Sequence, residues 1–340
     1  MSTALARVGA VAIGRNEGER LERCLRSLAG RVAPLVYVDS GSTDGSVELA
    51  RSLGAVVVDL DLTRPFTAAR ARNAGVSALL AAAPDTELVQ LVDGDCEVVE
   101  GWLDTAVAAL RAEPRLAAVC GRRRERHPQA SLWNALCDVE WDTPAGEARS
   151  TGGDAMFRLA AFQEVGGFRE DVIAGEEPEL CFRLRQRGWT IRRLPVEMTL
   201  HDAAMTRFGQ WWQRSLRAGH AYAEGAHLHG DESPERFRVR EHRRIWVWGA
   251  VVPSLALGGA LPSLGTSLLL LGGYPLSGLR AYRGARARGR DRREAALWGA
   301  FCVLGKLPEL QGAARFHWNR LRGRRAGIIE YKDQVQGRPA

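Results

Sequence analysis

Four short apolar runs, Val8–Ile13, Leu35–Val38, Val56–Val58 and Leu88–Val92, alternate with stretches of helical period through the first hundred residues. Leu21, Cys24, Leu25 and Leu28 recur at i, i+3, i+4 and i+7, Val47, Ala50 and Leu53 mark one face of the next helix, and residues 67–82 are Ala-rich and helical. Strands that are apolar throughout are buried on both faces. The alternation therefore predicts an α/β domain, a mostly parallel sheet flanked by helices. In such sheets ligands bind beyond the carboxyl ends of the strands, so chemistry is expected in the loops after Ile13, Val38 and Val92. Further along, residues 114–160 are less regular. Helix returns at 176–187, a strand follows near Thr190–Leu194, and 205–229 reads as helix.

The 340-residue chain is 46% hydrophobic and 26% charged, which is globular composition, and its mean hydropathy of −0.20 excludes a polytopic membrane protein. Its net charge of +7 hides an asymmetry. Residues 1–235 carry 27 Arg against 34 Asp and Glu, whereas 236–340 carry 20 basic residues against 6 acidic ones. A uniformly basic nucleic-acid binder does not look like this, and no nucleic-acid partner is expected. The division predicts an acidic domain over 1–235 and a basic helical tail over 236–340.

Within the tail, 35 residues from Ile245 to Leu279 carry no charge. One straight helix of that length would run about 52 Å, while a bilayer core needs about 20 residues. Pro253, Pro262 and repeated glycines favour two short helices or a re-entrant hairpin at about 245–279. Arginines flank both ends, five from Arg236 to Arg244 and seven between 280 and 293. Positive residues prefer the cytoplasmic side, so membrane lipids are expected partners, on one face of the membrane. A buried helical pair is the other reading. None of the six cysteines forms a CxxC pair, which predicts small core residues in a reducing compartment. The first twenty residues lack a basic region followed by a long apolar run, so no signal peptide is expected.

Asp93-Gly-Asp95 follows directly on an apolar strand. Carboxylates at this spacing suit a hard divalent cation that bridges protein to phosphate oxygens. Asp39-Ser-Gly-Ser-Thr-Asp44 is either a helix-capping loop or a contact for a nucleobase or ribose. Arg72, at a helix start, either faces a diphosphate or lies on the surface. Gly175-Glu176-Glu177-Pro-Glu179 is either an acidic first helical turn or a source of a general base.

In this order the segments resemble the inverting family 2 glycosyltransferases, which have the GT-A fold, Rossmann-like in its sheet. VAIGRNEGERLERCLRSL is similar to that family's first strand and helix, YVDSGSTDGS to its nucleotide loop, ARNAG to its Arg-Asn helix and LVDGDCEV to its DxD strand. TGGDAMFRLAAFQEVGGFRED and GEEPELCFRLRQRGW resemble its acceptor segment and catalytic helix.

The resemblance covers about residues 6–225. It implies that Asp39, Arg72, Asp93, Asn16 and Asp154 contact a nucleoside-diphosphate sugar, with a UDP-sugar favoured. Asp95, joined by His201, would hold Mg²⁺ or Mn²⁺. Glu177 would be the catalytic base, with Glu176 as the alternative because the family usually has Asp there. WGAVVPSLALGGAL, GYPLSGLRAYR, LGKLPELQGAARFHW and IIEYK resemble the membrane-associated end of bacterial members in surface-polysaccharide assembly. That implies a lipid-linked or glycan acceptor at the cytoplasmic face of the inner membrane. Gln210-Trp-Trp-Gln213-Arg214 lacks the QxxRW spacing of processive synthases, so transfer of one sugar is expected. A GT-A-like nucleotidyltransferase would want an early Gly-rich basic loop, of which GRNEGER is a poor version. A non-catalytic scaffold would have no need of Asp95 and Glu177 together.

Overall fold

The computed structural model describes residues 7–232, 234–324 and 327; the IIEYK segment lies outside them. Two compact units are present. Of the described residues, one comprises 7–126 together with 141–203, and the other 127–140 together with those from 204 onward. The helix that begins at Phe208 packs within the second unit.

In chain order the elements up to residue 201 are β1 (Val8–Gly14), α1 (Glu19–Leu28), β2 (Leu35–Asp39), α2 (Ser46–Ser52), β3 (Val56–Asp59), α3 (Ala68–Ala82), β4 (Leu88–Asp93), β5 (Cys96–Val98), α4 (Trp102–Ala112), β6 (Leu116–Glu125), α5 (Leu132–Trp141), β7 (Gly146–Glu147), β8 (Ala155–Arg158), α6 (Leu159–Glu164), α7 (Glu176–Gln186) and β9 (Thr190–His201). The strands form one sheet of order β3-β2-β1-β4-β8-β6-β9-β5, with β7 paired to β9.

The first four strands of that order behave as their sequence predicts. β1 pairs in parallel with β2 and β4, and β2 with β3. Val8, Ala10, Val11 and Ala12 are fully buried, so helices cover both faces of β1. Leu21, Cys24, Leu25 and Leu28 form the buried face of α1.

The other half corrects the expectation of a mostly parallel sheet. β8 inserts between β4 and β6 and runs antiparallel to both; β5 and β7 are antiparallel to β9, while β6 and β9 are parallel. The sheet is therefore mixed. β9 also runs on to His201, beyond the expected end at Leu194. Pro195 donates no ladder hydrogen bond, and the register against β6 shifts there, pairing Arg193 with Cys120 but Glu197 with Arg122. A strand that bulges around a proline continues past it.

The second unit is helical. With α5 it contains α8 (Phe208–His229), α9 (Val239–Trp246), α10 (Val252–Gly258), α11 (Gly273–Ala287), α12 (Arg292–Leu304) and α13 (Lys306–Leu321). α8 and α13 cross closely. A methyl group on Gly219 would fall 2.0 Å from the Glu309 carbonyl oxygen, and one on Gly312 would fall 1.9 Å from that of Leu216, so only glycine fits at this crossing. Trp133, Phe208, Trp211 and Phe301 cluster, with ring centroids 4.9–5.8 Å apart.

The uncharged run is broken as its prolines and glycines suggest. A π-helical turn (Val247–Val251) joins α9 to α10. The chain then turns through 259–265, and a 3₁₀ segment (Thr266–Gly272) leads into α11. No described helix is long and apolar enough to cross a membrane. Leu261 and Leu264 are 91% and 94% exposed, and Leu255, Leu257, Leu269 and Leu276 are also exposed. This is the opposite of a buried helical pair.

Candidate active site

The sheet brings the acidic motifs to one edge. Strand register sets Gly14 beside Asp39 and Ile13 beside Asp93, at the carboxyl ends of β1, β2 and β4. β8 runs back from the same edge, Ala155 opposite Leu91, which puts Asp154 next to the end of β4. β5 pairs Cys96 with His201, so the last residue of β9 lies beside Asp95.

Asp93 is the hub. Its Oδ1 accepts from Arg72 at 2.7 Å, and its Oδ2 lies 3.6 Å from the Arg123 guanidinium. Arg72 donates to Glu176 Oε1 as well, also at 2.7 Å. Burial by itself would lower the Arg72 pKa, but Asp93 and Glu176 outweigh it and the value rises, so this guanidinium stays charged. Arg123 behaves alike, with Asp154 as its strongest opposing charge.

Asp154 is fully buried. One oxygen accepts from the Asp93 backbone N–H at 2.9 Å; the other accepts from the Thr199 hydroxyl at 2.8 Å and pairs with Arg123 at 2.9 Å. These bonds make Asp154 a brace for Asp93. There is no slack in the turn before it, because a Cβ on Gly153 would meet both Arg123 and Asp93 at 2.6 Å.

Asp95 and His201 form the second cluster. His201 Nε2 lies 3.2 Å from Asp95 Oδ2, and its Nδ1 lies 3.7 Å from Glu125 Oε2. Trp141 meets the imidazole edge-on at 4.6 Å between centroids. Burial acts to lower the His201 pKa, but Asp95 and Glu125 prevail and raise it.

This donor set fits a small hard cation. Adjacent ligands of an octahedral ion with bonds of about 2.1 Å are about 3.0 Å apart, close to the Asp95–His201 separation. Glu125 lies on the Nδ1 side of the imidazole, at a distance longer than a hydrogen bond. Cys96 shares the cluster, yet burial, with Asp154 next, pushes its thiol well up. It remains a neutral thiol and a poor partner for such an ion.

The two glutamates at the start of α7 have separate fates. Glu176 is tied to Arg72. Glu177 Oε1 accepts from the Thr151 N–H, from the Thr151 hydroxyl at 2.7 Å and from the Cys181 thiol at 2.9 Å. Its Oε2 takes no hydrogen bond among the described residues. Glu179 pairs with Arg183, which also reaches the carbonyls of Val165 and Gly167, and so belongs to the scaffold.

The Asp39 loop is locally built. Asp39 Oδ1 accepts from the Tyr37 hydroxyl at 2.9 Å, and Oδ2 accepts from the N–H groups of Gly41 and Ser42, both at 2.8 Å. Asn16, at φ 54°, accepts from Thr43 N–H at 2.7 Å through its side chain. Its own backbone N–H donates to Ser42 Oγ at 3.0 Å. Asp44 accepts from Ser46 N–H, in the first turn of α2. Asn16, after β1, and the loop that Asp39 opens after β2 are thus pinned to each other across the ends of the two strands.

Arg123, Glu125, Thr151 and Thr199 escape a reading of the sequence. Arg123 and Glu125 sit in the run RRRER, which looks like a solvated strand. The signal present there is alternation: Arg123 and Glu125 share one face of β6 and face the site.

Residues 11–162 match the family model described as Glycosyl transferase family 2. The chain is 27% identical over 293 residues to the pre-mycofactocin glycosyltransferase of Mycobacterium tuberculosis, covering 80% of this chain and 56% of that protein. It is 23% identical over 182 residues to the O-antigen chain rhamnosyltransferase RfbN of Salmonella typhimurium, covering 49% and 56%. The chain thus spans little more than half the length of these curated relatives. A solved mannosyltransferase, PcManGT from Pyrobaculum calidifontis in complex with GDP-Man and Mn²⁺, superposes with a TM-score of 0.59 at 20% identity over 92% of this chain and 88% of that one. That likeness is one of fold.

Proposed function

Since the chain carries a glycosyl transferase family 2 domain over residues 11–162, we propose that it transfers one sugar, with inversion, from a nucleoside-diphosphate sugar to an acceptor hydroxyl. The observation that carries this reading is the single sheet edge that gathers Asp39, Asp93, Asp95 with His201, and Arg72 with Glu176.

In this reading Asp95 and His201 would hold Mg²⁺ or Mn²⁺, which would supply positive charge for the diphosphate leaving group. The two pinned loops, with Asn16 and Asp39, receive the nucleoside. Arg72 offers positive charge toward the diphosphate. Its Nε makes no hydrogen bond among the described residues, while its two terminal nitrogens keep it locked to Asp93 and Glu176. Glu177 is the base: Glu176 is held in an ion pair, whereas Glu177 keeps Oε2 for the acceptor proton. Proton removal and attack on the anomeric carbon then occur in one in-line step, which inverts the centre.

The test is a donor panel of UDP-, GDP- and dTDP-sugars with Mn²⁺ or Mg²⁺, with nucleoside diphosphate release as readout. One donor class is expected to turn over, with the release abolished by EDTA. Release unaffected by EDTA removes the metal assignment, and no release from any donor removes the transferase reading. UDP-sugars are the favoured class, by resemblance; the structural relative bound to GDP-Man makes GDP-sugars the first competitor.

The acceptor is proposed to be a lipid-linked or membrane-proximal glycan in surface-polysaccharide synthesis, at the cytoplasmic face of a bacterial inner membrane. The rhamnosyltransferase relative named for the O-antigen chain supports this. So do the exposed leucines of 255–276, set between arginine-rich flanks. The full chain is therefore expected to float with vesicles containing anionic phospholipid and to do so less with neutral phosphatidylcholine vesicles as salt rises. Absence from both vesicle fractions would remove the membrane reading.

A further inference from the structure

We infer that Thr151 is a positioning residue for the base, and that the four residues Thr151-Gly-Gly-Asp154 set the spacing between the base and the donor-side aspartate. The inference rests on the assignment of Glu177 as base.

A glutamate has three side-chain torsions, and one placed in the first turn of a helix has no intrinsic reason to hold a single orientation. Here one oxygen is fully occupied. Thr151 supplies both its backbone N–H and its hydroxyl to Glu177 Oε1, and the Cys181 thiol, one helical turn along α7, supplies a third donor. Cys181 stays protonated and able to donate, because burial and then the Glu177 charge push its pKa well up. Saturating Oε1 on three sides fixes the carboxylate plane and leaves Oε2 as the proton acceptor. It also accounts for a glutamate at this place: the added methylene carries the carboxylate to Thr151.

Three residues on, Asp154 accepts from the backbone N–H of Asp93. The stretch 151–154 therefore grips the base at one end and the end of β4 at the other. Its middle cannot be enlarged on either count: Gly152 sits at φ 87°, and Gly153 has no room for a Cβ. A single short loop thus sets the distance between the acceptor-activating group and the donor-binding strand.

Thr151→Val keeps the side-chain shape and the backbone donor while deleting the hydroxyl. The expected result is a fall in kcat of about tenfold with donor KM unchanged, and recovery to within about twofold in Thr151→Ser. A fall in kcat matched by a rise in donor KM, a valine variant with unchanged kcat, or a serine variant no better than valine would each overturn the positioning role. Glu177→Gln, measured in parallel, separates the two ideas. If it retains turnover, the base assignment fails whatever Thr151 does. If it is inactive while Thr151→Val is silent, the base stands and the positioning role falls.

Discussion

Asp95→Ala is expected to lower metal-dependent sugar transfer by about a thousandfold or more and to weaken Mn²⁺ binding to the same protein. Asp95 is 4% exposed, and its Oδ2 stands 3.2 Å from His201 Nε2. Its removal leaves one imidazole where two ligands stood, and a hard cation that keeps its waters is poorly held by one nitrogen. The fold should survive. The main-chain bond from Asp202 N–H to the Asp95 carbonyl remains, and a negative charge leaves an edge already crowded with carboxylates. Thermal unfolding followed by circular dichroism should stay cooperative. Manganese titration and turnover of the donor identified in the panel give the two readouts. Wild-type turnover in the alanine variant, or undiminished Mn²⁺ affinity, moves the metal site elsewhere.

Glu177→Gln is expected to reduce kcat by about 10²- to 10⁴-fold, the range of general-base contributions, with little change in donor KM. The amide is nearly isosteric and its oxygen can still accept from Thr151, so loop and helix stay in place. What disappears is the ability to take a proton. Glu176→Gln should behave differently: it frees one arm of Arg72, so its effect belongs mainly in donor KM. That contrast, a kcat effect at 177 and a KM effect at 176, is the signature that distinguishes two adjacent carboxylates. The reverse pattern would exchange their roles.

The parallel half of the sheet is legible in the sequence because its signal is local. Each strand of β1, β2 and β4 is an apolar run followed by a loop, and α1 shows its buried face as Leu21, Cys24, Leu25 and Leu28. The antiparallel insertion is not legible in the same way. β8 is four residues long, and its place between β4 and β6 is set by pairing partners 37 to 70 residues away in sequence.

The site divides along the same line. The acidic motifs at 93–95 and 176–177 announce themselves through charge beside apolar strands or at a helix start. Arg123 and Glu125 do not, because only the pairing of β6 with β9, and partners such as Asp154, Glu197 and Glu97, turns RRRER from a solvated run into a set of paired charges. Asp39 shows the opposite limit. Its loop is recognisable in the sequence, but only the geometry shows that Tyr37, Gly41 and Ser42 already occupy its oxygens. In the tail, Pro253, Pro262 and the glycines foretold broken helices, and the exposure of Leu261 and Leu264 supplied what the uncharged run by itself left open.

The pairing of β5 with β9 has a consequence for how the protein is made. His201 pairs with Cys96, the residue after Asp95, yet 106 residues separate Asp95 from His201 in the chain. At synthesis rates of about 5–20 residues per second, the histidine leaves the ribosome roughly 5–20 seconds after the aspartate. During that interval β1, β2 and β3 can pair among themselves and with one edge of β4, whose other edge takes β8, whereas β5 has no partner until β9. Assembly therefore runs from the locally paired strands β1 to β4 toward an edge that waits for its last strand, and Asp95 and His201 come together only when β9 docks.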